Sequence, residues 1–152
     1  MSEQKIDYDD ILVKLEKKLK EIEDITSKKI NELTGKINCE LKETIDLSAE
    51  ATSYRQYLID IRTDFYFKIY KEMPKLKQLK KTRFEYYSTK YPIKTNSTEK
   101  TKLIDADIAY HEAKMEFYQN HINYLTESIK TVDHVIYSVK NKIELYNATG
   151  LN

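Results

Sequence analysis

The chain has 152 residues, 34% of them charged, with two Gly, two Pro, a single Cys and no Trp. So few Gly and Pro in so charged a chain fit one all-α domain and exclude a turn-rich sheet protein; one Cys excludes an internal disulfide and a cysteine-based metal site. The formal net charge of +1 conceals a segregation, because residues 1–50 hold 9 Lys+Arg against 13 Asp+Glu, whereas residues 68–94 hold nine basic residues against only Glu72 and Glu85. A local basic block of this kind points to an anionic partner.

Cys39 reads as a small buried or half-buried residue in a reducing setting. The N-terminus is acidic and has no basic region followed by an apolar one, and no apolar run approaches the ~20 residues of a membrane span. A soluble, unexported, cytoplasmic protein without a membrane partner is expected.

Residues 8 to about 44 read as a charged amphipathic helix through Ile11, Leu15, Leu19, Ile22, Ile30, Leu33, Ile37 and Leu41. Its register slips between Ile22 and Ile30. Gly35 inside this pattern predicts a break into two helices near Thr34, since a mid-helix Gly costs about 0.5–1 kcal/mol relative to Ala. Residues 1–39 are expected to be a charged extension that packs loosely on the main domain, 40–152, or pairs with a second copy.

Asp46 and Ser48 are candidate N-caps of the next helix, whose apolar residues Leu47, Ala51, Tyr54, Leu58, Ile61 and Phe65 alternate steps of four and three. Tyr57, Tyr66 and Tyr70 lie off that stripe, so this helix has more aromatic surface than one seam needs. Pro74 is expected to end or kink it and to open a new helix, because proline lacks the N–H donor and disfavours helical geometry at Met73.

Residues 75–90, KLKQLKKTRFEYYSTK, place Leu76, Leu79, Phe84, Tyr86 and Tyr87 on one helical face together with Lys80 and Arg83, flanked by Lys77 and Lys81. Two cations within an apolar face are costly to bury unpaired. Either Lys80 and Arg83 extend over neighbouring helices with their heads in water, or the face meets single-stranded nucleic acid, with cations on phosphates and Tyr or Arg stacking on bases. The loop formers of residues 91–98 follow.

From Ile104 to Tyr146 apolar residues recur at steps of four and three without a slip. Ile108, Met115, Ile122, Ile129, Ile136 and Ile143 take heptad position a, and Ile104, His111, Tyr118, Leu125, Val132, Val139 and Tyr146 take d. One helix over about 104–148 is predicted, with Asp105 as its candidate cap and Gly150 where a C′ glycine belongs. Such a seam requires other helices of the chain, further copies, or both. Long antiparallel helices joined by heptad seams are therefore expected.

Enzyme signatures are missing. Gly35 and Gly150 alone cannot make a phosphate-cradling loop. His111, His121 and His134 stand without cysteine pairs or di-metal Glu-x-x-His repeats, and His111 reads as a packed or interface residue. Glu112 and Glu116 share a face without a nucleophile. No catalytic residue, metal or cofactor is assigned.

The segment Leu79-Lys80-Lys81-Thr82-Arg83-Phe84-Glu85-Tyr86-Tyr87 resembles the Leu-Lys-Ala-Arg-Leu-Asp-Tyr-Tyr motif of the UvsY-type recombination mediators of T-even-like bacteriophages. Upstream, Tyr54-Arg55-Gln56-Tyr57-Leu58 is similar to that family's Tyr-x-x-Trp-Leu. Glu40-Leu41-Lys42, Glu99-Lys100, Leu103 and Ala106-Asp107 follow the same order, so the resemblance spans about residues 40–148. It implies a non-enzymatic protein that binds single-stranded DNA, forms a ring-like homo-oligomer, and helps load a phage UvsX-type recombinase onto strands covered by the phage single-strand-binding protein, in the host cytoplasm.

On that resemblance Lys81 and Arg83 correspond to the family's DNA-binding pair, and Lys77, Lys80, Tyr86 and Tyr87 complete the candidate DNA-binding set. The C-terminal helix would drive oligomerisation through Ile129, Val132, Ile136, Val139 and Ile143. Three departures stand out: residues 1–39 have no counterpart, Pro74 falls where the family lacks proline, and Asp133 replaces a glycine. A coiled-coil scaffold or tether that binds no nucleic acid would share the heptads and the charged extension.

Overall fold

The computed structural model describes residues 6–150, which form three helices, α1 (Tyr8–Gly35), α2 (Leu41–Thr89) and α3 (Ser97–Thr149), with no strand among the described residues. The fold is all-α, as composition and periodicity predicted. No described helix is long and apolar enough to cross a membrane.

Side-chain chemistry sets each boundary. Asp7 accepts the amide of Asp10 at 3.2 Å and caps α1. At Gly35 the chain leaves α1, and three i to i+3 bonds follow, from Lys36 to Leu33, Ile37 to Thr34 and Cys39 to Lys36. The break near Thr34 is thus where the glycine placed it. The next helix starts earlier than expected: Asp46 and Ser48 lie within α2, and the Glu40 carbonyl accepts both the amide and the hydroxyl of Thr44, at 3.0 and 2.9 Å. Asp105 likewise lies inside α3. A capping box at Asn96 starts that helix, with the Asn96 side chain accepting the Glu99 amide at 2.9 Å and the Glu99 carboxylate accepting the Asn96 amide at 3.0 Å. Gly150 ends α3 at φ 63°, a left-handed C′ geometry that favours glycine.

Pro74 neither ends nor divides α2; it sits inside one helix of 49 residues. Proline cannot donate to the carbonyl of Tyr70, but both residues are exposed, and Tyr70 is 74% accessible. Water can satisfy that carbonyl, and the ring meets no neighbouring helix, so the penalty of an interior proline is softened here.

The described chain divides into two compact units. One comprises the chain up to Lys18 together with Phe65–Asn120. In it α2 and α3 run antiparallel, as the pairs Glu72–Lys114, Lys80–Glu112 and Arg83–Asp107 require. Its buried apolar residues are Phe65, Ile108 and Tyr118, and no described side chain between Tyr66 and Asp107 is buried. Phe65 and Tyr118 pack at 5.6 Å between ring centroids, with the Lys68 ammonium 4.5 Å from the Phe65 ring. Tyr8 of α1 packs on Tyr110 at 4.4 Å.

The other unit comprises Leu19–Asp64 and the chain from His121 onward. It contains the remaining buried apolar residues, among them Leu19, Ile30 and Leu33 of α1, Leu47, Ala51 and Leu58 of α2, and Ile122, Leu125, Val132, Val135 and Val139 of α3. Residues 19–35 are therefore core, not a loosely attached extension: Leu33 is completely buried and Thr26 is 3% exposed, its hydroxyl donating to the Ile22 carbonyl at 2.8 Å. His121 is also more engaged than the sequence indicated. It is 1% exposed, and its Nδ1 lies 3.0 Å from a carboxylate oxygen of Glu23. His121, Ser128 and Val135 add a third buried row beside the a and d positions of α3. The wider stripe arises because α3 here faces both α1 and α2.

Candidate nucleic-acid interface

Within its own unit, the α2 segment from Phe65 to Thr89 sorts its side chains onto two faces. Toward α3 lie Glu72, Leu76, Leu79, Arg83 and Tyr87, all half-buried and spaced by three or four residues. Away from α3, within about 60° of one line at 3.6 residues per turn, lie Tyr66, Phe67, Tyr70, Met73, Lys77, Lys81 and Phe84, all exposed.

The six residues expected to bind DNA do not share one face. Lys77 and Lys81 are on the outward arc, and among the described residues neither forms an ion pair. Lys80 lies at the edge, its Nζ 3.4 Å from Glu112, with both side chains about half exposed at 48% and 49%. Such a pair is worth roughly 0–1 kcal/mol, so a phosphate could displace the carboxylate. Arg83 turns its Nε inward, 3.5 Å from Asp107, while its side chain as a whole is 43% exposed. That Nε is buried and makes no hydrogen bond in the structure.

Tyr87 donates to the same Asp107 carboxylate at 2.6 Å. This bond, reinforced by burial and by the carboxylate charge, pushes the Tyr87 phenol up to about 12, against a smaller opposing effect of Arg83. Tyr86 is 37% exposed and meets Tyr87 and Tyr91 edge-on, with centroids 5.2 and 5.9 Å apart; Tyr87 and Tyr91 are 5.0 Å apart. These three rings pack on one another at the end of α2, which leaves Tyr86 the most accessible for stacking. Asp107 thus ties Arg83 and Tyr87 to α3, and these two residues shape the hairpin from within.

Between Tyr66 and Phe84 the one acidic residue is on the inward side. Glu72, the sole Asp or Glu between Tyr66 and Phe84, lies 3.5 Å from Lys114 and 3.7 Å from Lys75, and its side chain is 18% exposed. From Tyr66 to Phe84 the outward arc consequently presents cations and aromatic rings with no carboxylate among them, and the exposed Glu85 follows at its end. Lys100 adds to it from α3, its Nζ 5.0 Å from the Phe84 ring centroid and donating to the Ser88 hydroxyl at 3.0 Å. Sequence reasoning had marked Tyr66 and Tyr70 as surplus to the seam and had placed Phe84 beside Tyr87. It missed that Phe67 and Met73 join them, because Pro74 was expected to end the helix at that point.

The residues expected to hold subunits together divide as well. Ile129, Val132 and Val139 are buried within their own unit, whereas Ile136 and Ile143 are half-buried. Asp133, which stands where the resembled family has glycine, accepts from the Arg55 guanidinium at 2.5 Å.

Set against known proteins, the chain matches no family model, no curated protein and no solved structure.

Proposed function

We propose that the chain is a non-enzymatic single-stranded-DNA-binding protein that acts as a recombination mediator, helping to load a phage recombinase of the UvsX type onto strands covered by single-strand-binding protein. The supporting observation is the exposed arc of α2 from Tyr66 to Phe84, where Lys77 and Lys81 are accessible to phosphates and no ion pair with a described residue competes for them, although the exposed Glu85 follows at its end. One protomer offers few phosphate contacts. A homo-oligomer, ring-like as the resemblance implies, would repeat them along one strand and gain avidity from effective concentration. Ile136 and Ile143 are the seam residues whose partial exposure suits contacts between subunits.

The test is binding of a single-stranded oligonucleotide at several salt concentrations by the wild type and by Lys77→Ala, Lys81→Ala. Loss of two phosphate contacts should weaken binding and make the slope of log affinity against log salt shallower by about 1.4, since each contact on a single strand contributes about 0.7. Helicity should be unchanged. If the wild type retains no strand at low salt, the reading is wrong.

A second reading, a coiled-coil tether that binds no nucleic acid, draws support from Lys80 and Arg83, which face Glu112 and Asp107 of their own chain. The same titration separates the two readings.

A further inference from the structure

The aromatic half of the outward arc is left without a role by a reading that rests on lysines. Phe67 is 60% exposed and Tyr70 74%, and Tyr66, Met73 and Phe84 are each more than two-fifths exposed. Single exposed apolar residues are ordinary, but four large rings and a methionine along one line of one helix form a patch that demands an occupant. The charge around that patch selects among occupants. Lys71, Lys77 and Lys81 adjoin it, Lys100 reaches Phe84, and the one acid between Tyr66 and Phe84 is turned inward, so that cations outnumber the single exposed carboxylate at its end, Glu85. An occupant with flat apolar faces and regularly spaced negative charge matches this surface on both counts.

We propose that the outward face of α2 from Tyr66 to Phe84 is a base-stacking track for unpaired nucleic acid. Bases lie on Phe67, Tyr70 and Phe84, while the intervening phosphates meet Lys71, Lys77 and Lys81. A paired duplex is excluded as the ligand, because its bases are already stacked and their faces are closed to side chains. Stacking on aromatic rings tolerates any base, so the track reads no sequence. Arg83 and Tyr87, held by Asp107, position the helix and do not touch the strand. This inference rests on the single-strand-binding reading above, and it extends that binding to Phe67, Tyr70 and Lys71, which lie outside the basic motif.

The test compares an oligothymidylate with a strand of equal length in which most nucleotides are abasic, so that phosphates are kept and bases are lost. The wild type should bind the abasic strand about 10- to 100-fold more weakly. Phe67→Ala, Tyr70→Ala should bind oligothymidylate more weakly by a similar factor, should no longer distinguish the two strands, and should keep the wild-type salt slope and helicity. Phe67→Leu, Tyr70→Leu, which retains apolar area but not rings, should behave like the alanine pair.

Wild-type affinity in the alanine pair, with binding still lost in Lys77→Ala, Lys81→Ala, overturns the track and leaves the single-strand reading standing. An altered molar mass in the alanine pair with unaltered strand binding overturns it too, and makes the patch a contact between copies. Failure of the wild type to bind either strand removes the single-strand reading and the track together.

Discussion

The two units contain the same three helices and share the same steps of four and three, yet one is built around a core and the other around polar ties. In the unit of Leu19–Asp64 and the chain beyond His121, α3 buries three rows of side chains. In the unit that includes Phe65–Asn120, burial ends at Phe65 on α2 and resumes only at Ile108 on α3. There, the half-buried row of α2 includes Glu72, Arg83 and Tyr87, and the partners are Lys114 and Asp107. Apolar periodicity alone therefore does not fix how a helix is held; the identity of every third or fourth residue on the facing helix does. The polar unit presents its apolar rings outward, and the apolar unit contains most of the buried apolar residues.

Breaking the core should have the largest effect. Val139→Asp puts a charge where no water reaches, and cooperative unfolding should be lost or the helical signal should collapse in circular dichroism. Ile143→Asp, on a half-buried position of the same helix, should preserve helicity. If Ile143 joins subunits, that variant should lower the molar mass in solution, whereas an unchanged mass removes it from any interface.

The next effect compares leucines across the units. Leu125→Ala, at a completely buried site, should lose roughly 2–5 kcal/mol of stability in urea denaturation. Leu79→Ala, at a half-buried site, should lose about 1 kcal/mol. Equal losses would mean that the polar unit is held by apolar packing after all.

A smaller effect separates the two cations that the family resemblance pairs. Lys81→Ala should weaken single-strand binding more than Arg83→Ala, since Lys81 faces water and Arg83 faces Asp107. The reverse order would return the inward residues to the binding surface.

Smallest is a pH effect in the polar unit. The Tyr87 phenol is raised from 10.0 to about 12 by its bond to Asp107. A folded-state value above the unfolded one stabilises the fold fully below pH 10, and this contribution fades as the pH rises toward about 12. The stability difference between wild type and Tyr87→Phe should therefore shrink across that interval. A difference that stays constant from pH 8 to 11.5 would show that the hydroxyl contributes nothing to the tie; because Tyr87 is partly exposed, the effect is small.

Much of this was legible in the sequence. The break at Gly35, the loop after α2 and the C-terminal glycine follow from local rules, and each stands at its expected place. The caps were misplaced for a clear reason: Asp46, Ser48 and Asp105 have the chemistry of caps, but so do Glu99 with Asn96, and only the start of the hydrogen-bonded ladder distinguishes them. Pro74 misled for the opposite reason. Its local penalty is real, but the exposed side of a helix packed along its other face tolerates the missing bond.

By itself the sequence determined that the chain is helical, where its positive charge concentrates, and which positions repeat at helical spacing, because backbone propensity and charge are properties of the residues. Only the tertiary structure decided which cations stand without an ion pair among the described residues and which lie beside Asp107, Glu112 or Glu72, and that α1 contributes to a core. Those outcomes depend on which helix faces which, and a side chain is inward or outward only once a neighbour has been chosen.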